Sequence, residues 1–187
     1  MQYKLTETST NICNAVFGKA KDVFHQEAFC GIEKANAKLR TYGLIKFDIG
    51  REGYLELIKK TKRRQLVTKF RLSNHKLLIE VGRHMNLPKE ERICEICNKG
   101  VEDEIHFLVK CDLYETLRKP LFDICTELKS QFGYYSDQEK FVFIMTTPLL
   151  MDNVSKFIDS AMKERDIHME TRKTLNSILD KVSNLVP

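Results

Sequence analysis

Cys94, Cys97, His106 and Cys111 stand in the pattern C-x2-C-x8-H-x4-C within the stretch CEICNKGVEDEIHFLVKC. Three thiolates and one imidazole make a complete donor set for a tetrahedral structural Zn2+. Two residues between the first pair let the backbone turn tightly and aim both sulfurs at one point. Asn98, Lys99 and Gly100 then supply turn chemistry. Glu102, Asp103 and Glu104 read as the acidic first turn of a short helix that carries His106, with Phe107 and Leu108 packed beneath the metal. His106 and Cys111 are five apart, about 140° around a straight α-helix, so Cys111 is expected at or past the helix end. A catalytic Cys and His pair drawn from the same residues explains less, because a closed four-donor ion has no open coordination position. The plainer alternative, in which these side chains pack as small core groups, leaves the spacing to chance.

The rest of the chain must position that stretch. Its 187 residues, 42% hydrophobic, suffice for one ordinary domain or two small ones. Apolar runs are short and interrupted by charge, and MQYKLTETST lacks the apolar core of a signal peptide. Neither secretion nor membrane insertion is expected, and a reducing intracellular site, nucleus or cytoplasm, fits the cysteines better than disulfides. Cys13, Cys30 and Cys125 sit among apolar neighbours and read as buried thiols.

Helical spacing recurs along the chain. Residues 11 to 29 carry Cys13, Val16, Phe17, Ala20, Val23 and Phe24 on one face, with Thr10 or Asn11 as N-cap. The segment EGYLELIKKTKRRQLVTKFRL is helical in pattern, but Arg63 falls inside its apolar arc. That requires either a break near Thr61 or a paired arginine. Ser73 and Asn74 are good N-caps for a helix over His75 to Met85, with Leu77, Leu78, Val81 and Met85 inward. Tyr114, Leu117, Leu121, Ile124 and Leu128 share another face with Cys125 beside it, interrupted by Pro120, where a kink or a new helix start is expected. Residues 138 to 146 are apolar all round and fit a helix or a strand. Leu149 to Arg165 reads as a helix with Val154, Phe157, Ile158 and Ala161 inward. The tail keeps the spacing at Leu175, Ile178, Leu179, Val182 and Leu185, a face that packs or docks a protein partner. No strict strand alternation and no phosphate-loop glycine pattern occurs. The expected fold is mainly α: small helical domains over 1–58, 59–130 and 131–187, with a Cys3His zinc knuckle inserted between helices.

Charge is concentrated. The net charge is +5, yet residues 59 to 92 alone carry eleven basic and three acidic side chains. On an ideal helical wheel Lys60, Arg64 and Arg71 form a ridge, with Lys69, Lys76 and Arg83 nearby. A basic block beside a metal motif points to phosphate, hence RNA or DNA; the alternative is a solvated face.

KFRLSNHKLLIEVGR, from Lys69, and RICEICNKGVEDEIHFLVKCDLYETLR, from Arg92, together with AKLRTYGLIKFDIGREGYL, from Ala37, resemble a known family. They are similar to the C-terminal zinc-binding region of reverse transcriptases from non-LTR retrotransposons of animals. The resemblance covers about residues 37 to 122, and Cys94, Cys97, His106 and Cys111 match that region's ligand positions. It implies zinc, a role in handling RNA or target nucleic acid, and a chain corresponding to the end of a retroelement protein. The aspartate-bearing polymerase motif and the endonuclease are missing from this sequence, so no polymerase, nuclease or hydrolase activity is expected. Four residues more than the C-x2-C-x4-H-x4-C of a retroviral nucleocapsid knuckle precede the histidine, so the same base-stacking platform is not implied. Two functions follow: a nucleic-acid-binding zinc module, or a zinc-stabilised helical protein-interaction domain.

Overall fold

The computed structural model describes residues 7–32, 39–46 and 50–183, and these form a mainly α structure. The chain divides into two compact units, Met1–Arg51 and Glu52–Pro187. In the first, α1 spans Glu7–Ile32 and α2 spans Tyr42–Ile45. Thr10 and Asn11 lie inside α1 rather than at its cap, and Val16, Phe17 and Val23 of its expected apolar face are exposed. The side chains of Cys13, Phe24 and Cys30 lie outside the described residues.

The second unit starts with α3, Tyr54–Leu57, and α4, Thr61–Arg71. The chain is extended at Ile58 and Lys60, and this break resolves the conflict at Arg63. Arg63 turns to Asp152 at 3.3 Å, while Val67 and Phe70 enter the core. Then follow α5, Leu78–His84; α6, Glu115–Leu128; α7, Asp137–Thr146; and α8, Met151–Ser183. The expected division at residue 130 falls inside this unit, because α8 packs along α4 and α6. Val154, Phe157, Ile158 and Ala161 of α8 are buried as their spacing implies.

Three local readings need correction. The helix expected from His75 begins at Leu78, since Ser73 adopts a left-handed φ of 49° and gives its hydroxyl to Glu104 instead of capping. Its inward face is then Ile79, Glu80 and Gly82, with Val81 and Met85 exposed. Gly82 is required there, because a Cβ would stand 2.8 Å from Cγ of Arg92. Arg92 crosses α5 at that point to donate to the carbonyls of Ile79 and Leu87. On α6 the buried line is Arg118, Leu121 and Cys125, whereas Leu128 is exposed; the helix runs from Glu115 through Pro120 without a restart. Burial pushes the Cys125 thiol up to about 12. Residues 137–146 are helical, and the reason is a capping box: Ser136 accepts from the Glu139 amide while Glu139 accepts from the Ser136 amide.

The long α8 absorbs the tail. Ile167, Leu175, Ile178 and Leu179 are exposed on it, while the side chain of Val182 and all of Leu185 lie outside the described residues. No single helix among the described residues is long and apolar enough to cross a membrane.

Candidate metal centre

The donor set is built on a tight hairpin followed by an unusual helical turn. Ile93 and Val101 form an antiparallel bridge, and the Cys94 amide donates to the Gly100 carbonyl at 2.8 Å. Inside the hairpin the Asn98 amide donates to the Cys94 carbonyl at 2.9 Å, with Asn98 at a left-handed φ of 55° that asparagine tolerates better than most residues. That closed turn carries Cys94 and Cys97. Asp103 then starts the next segment by accepting the His106 amide at 2.7 Å.

His106–Lys110 form one π-helical turn. Its i to i+5 bond, from the Cys111 amide to the His106 carbonyl at 2.8 Å, brings residues five apart closer to one side than an α-turn would. The wider turn therefore reduces the roughly 140° offset of a straight α-helix and brings the two donors toward one side. Cys111 sits just past the turn's end, as required, with extended backbone. Phe107 and Leu108 are fully buried beneath. Phe107 is ringed by Phe70, Tyr114 and Phe157 at centroid distances of 5.5, 4.7 and 5.9 Å, which anchors the metal segment in the helical core.

Cys94, Cys97, His106 and Cys111 offer one donor atom each, all within 4.8 Å of one another. Sγ of Cys97 lies 3.2 Å from Nε2 of His106, and Sγ of Cys94 lies 4.0 Å from Sγ of Cys111. Around a tetrahedral ion with the usual Zn–S and Zn–N lengths, those edges would be about 3.5 and 3.8 Å. The cluster could hold a metal ion with small adjustments of the side chains. Cys94 is held well below the usual thiol range by the hydrogen bond with Cys111, which favours a thiolate at Cys94 and a retained proton at Cys111. Lys99 and Asp112, which follow the second and fourth donors, pair at 2.5 Å and tie the two halves of the site together.

The carboxylates beside the donors do more than the acidic-turn reading gave them. Only Asp103 caps. Glu102, 2% exposed, receives Nε and Nη2 of Arg165 at 2.7 and 2.9 Å and the Leu78 amide at 2.7 Å. It thereby joins the metal hairpin to α8 and supplies the missing cap of α5. Glu104, fully buried, accepts from Ser73 and lies 2.8 Å from Nε2 of His75. Two turns beyond Arg165, Arg172 donates to the Glu95 carbonyl between the first two cysteines. Arg118 donates to the carbonyls of Leu108 and Cys111 at 2.9 and 2.6 Å, closing the exit of the π turn.

The six basic residues singled out for nucleic acid are not one surface. Arg71 is buried, donating to the Met145 carbonyl and Glu52 and lying 4.9 Å over the Tyr54 ring. It must leave the ridge, because its guanidinium is occupied inside the unit. Arg64 is half-buried and donates to the carbonyls of Leu55 and Ile58. Arg83 pairs with Glu80 at 3.0 Å and Lys76 with Asp166 at 3.1 Å. Lys60 and Lys69 are exposed, and so are Lys59 and Lys62. Arginines, with their planar fork of donors, thus serve carbonyls and carboxylates, while the lysines face water.

Comparison of the chain with protein-family models, with curated proteins and with solved structures finds no match. What defines it is its own architecture, a mainly α unit with a Cys3His donor cluster locked to its longest helix.

Proposed function

We propose that the unit Glu52–Pro187 is a nucleic-acid-binding module, folded around Zn2+ held by Cys94, Cys97, His106 and Cys111 and contacting the phosphates of RNA or DNA. The observation that carries this reading is the surface of α4. Between Glu56 and Glu80 there is no carboxylate in the sequence, and along this span Lys59, Lys60, Lys62 and Lys69 are exposed. Lys62 and Lys69 are two helical turns, about 10 Å, apart on the solvent face of α4, within reach of nearby phosphates of one flexible strand. The resemblance of residues 37 to 122 to the zinc-binding end of retrotransposon reverse transcriptases supports the same ligand. Four protein donors around a tetrahedral ion have no open position, so the reading assigns binding to this module and no chemistry on the bound strand.

Replacing both Lys62 and Lys69 by alanine is expected to weaken binding to single-stranded nucleic acid of any sequence. The slope of log affinity against log salt should flatten by about 1.4 if each lysine neutralises one phosphate. A salt titration by fluorescence anisotropy measures it, and identical slopes and affinities for parent and variant would contradict the assignment. A second reading, a zinc-stabilised protein-interaction domain of helices, is favoured by the exposed Ile167, Leu175, Ile178 and Leu179 on α8. It requires the lysine variant to behave as the parent.

A further inference from the structure

A cavity of about 560 Å3 opens where the metal-bearing segment passes into α6. Its size lies within the range of about 300–1,000 Å3 usual for ligand sites. Arg118 lines it although only 6% exposed. Nε and Nη2 of that side chain are committed to the carbonyls of Leu108 and Cys111, which fixes the guanidinium, and Nη1 has no hydrogen bond to the described chain. Cζ of Arg118 is 5.8 Å from the centroid of the Phe122 ring, which also lines the cavity. Phe122 is itself braced, its ring meeting Phe132 edge-on at 5.2 Å and 82°. Asp112, Glu115 and Thr116 complete the wall, and at the rim the exposed Lys110 and Lys119 pair with Asp137 at 3.0 Å and with Asp123 at 3.2 Å.

These walls select among ligand classes. A simple anion would use the cations but leave the aromatic ring idle. An acidic peptide would meet the Glu115 carboxylate. A neutral base matches these walls: a flat ring for Phe122, a carbonyl or ring nitrogen for Nη1 of Arg118, and N–H groups for the carboxylates of Glu115 and Asp112.

We infer that this cavity receives one unpaired base of the bound strand, stacked on Phe122 with its acceptor edge at Nη1 of Arg118. The inference rests on the nucleic-acid reading above and adds a base-dependent contact to the phosphate contacts of α4. It places that contact against the metal centre, since Arg118 also holds the Cys111 carbonyl. Loss of the metal would then reach the base site through the π turn.

The test uses full-length, zinc-loaded protein with a mixed-sequence single-stranded DNA oligonucleotide and an abasic oligonucleotide of equal length. The parent should bind the base-bearing strand about ten-fold more tightly, with the same salt slope for both. Phe122→Leu, which keeps an apolar side chain against Phe132, should abolish that preference without altering the slope. Glu115→Gln, at an exposed position, should change the ranking among homopolymer strands. Equal affinity of the parent for both strands, or a preference that survives Phe122→Leu, would overturn the base site and leave the phosphate reading standing. No binding of either strand by the parent would overturn the nucleic-acid reading and this inference with it.

Discussion

Stripping the metal with a chelator, or replacing Cys94 by serine, is expected to dismantle the region between Ser73 and Arg118. Structural zinc in small finger peptides contributes on the order of 10 kcal/mol of apparent binding free energy, much of it linked to folding. That is comparable with the whole stability of an ordinary domain, about 5–15 kcal/mol. In this chain the donors do not hang on a separate finger. Phe107 and Leu108, between His106 and Cys111, are fully buried in the helical core, and Glu102 caps α5 from within the metal hairpin. Loss of the ion should therefore expose apolar core as well as free the loop. Amide hydrogen exchange before and after chelation reads this directly, with protection lost at Phe107 to Cys111 and in α5. The N-terminal half of α8, packed on α4, should lose less. Unchanged protection across the π turn after complete metal removal would contradict the prediction.

The second large effect is expected at the Glu102 and Arg165 pair. Both are buried, and Glu102 accepts three hydrogen bonds. Removing one partner of a buried pair leaves an uncompensated charge and costs about 3–5 kcal/mol. Glu102→Leu should fall in that range, with a loss of roughly 10 °C in Tm for a unit of this size. Arg165→Met should cost less, because Glu102 retains the Leu78 amide. The double variant should recover part of the loss, since apolar replacement of a whole buried pair is often close to neutral, but the cap of α5 stays missing. Thermal and denaturant unfolding of the metal-loaded proteins gives the coupling. Single variants both within about 0.5 kcal/mol of the parent would show that the pair does not join the hairpin to α8.

How much of this was legible in the sequence depended on how far apart the partners lie. The donor cluster was, because its four residues lie in one hairpin and one helical turn, close in sequence, and their spacing carries the geometry. Even its difficulty was visible: the angular mismatch between His106 and Cys111 demanded an irregular helix end, and the π turn is how the chain meets that demand. At 137–146 the apolar run left helix and strand open, and the signal that decides for a helix, Ser136 followed by Glu139, stands just before it.

The arginines were not legible. A helical wheel puts Arg71 on a basic ridge because it knows only that the residue is charged, whereas its partners are the Met145 carbonyl and Glu52, each distant along the chain. Arg118 and Arg165 went unnoticed for the same reason, their bonds lying with the π turn and with Glu102. Leu77 is buried as its spacing implies, but Val81 and Met85 turned outward because the cap of α5 comes from the hairpin and its packing from Arg92, neither visible in local periodicity.

X-ray absorption at the zinc edge, with metal analysis of the same purified protein, tests the metal centre most directly. One zinc per chain is expected, with three sulfurs at about 2.3 Å and one nitrogen at about 2.0–2.1 Å. The Cys94→Ser and Cys97→Ser double variant should lose the ion. Stoichiometric zinc retained in that variant, or a shell of oxygen and nitrogen alone in the parent, would contradict the assignment of Cys94, Cys97, His106 and Cys111.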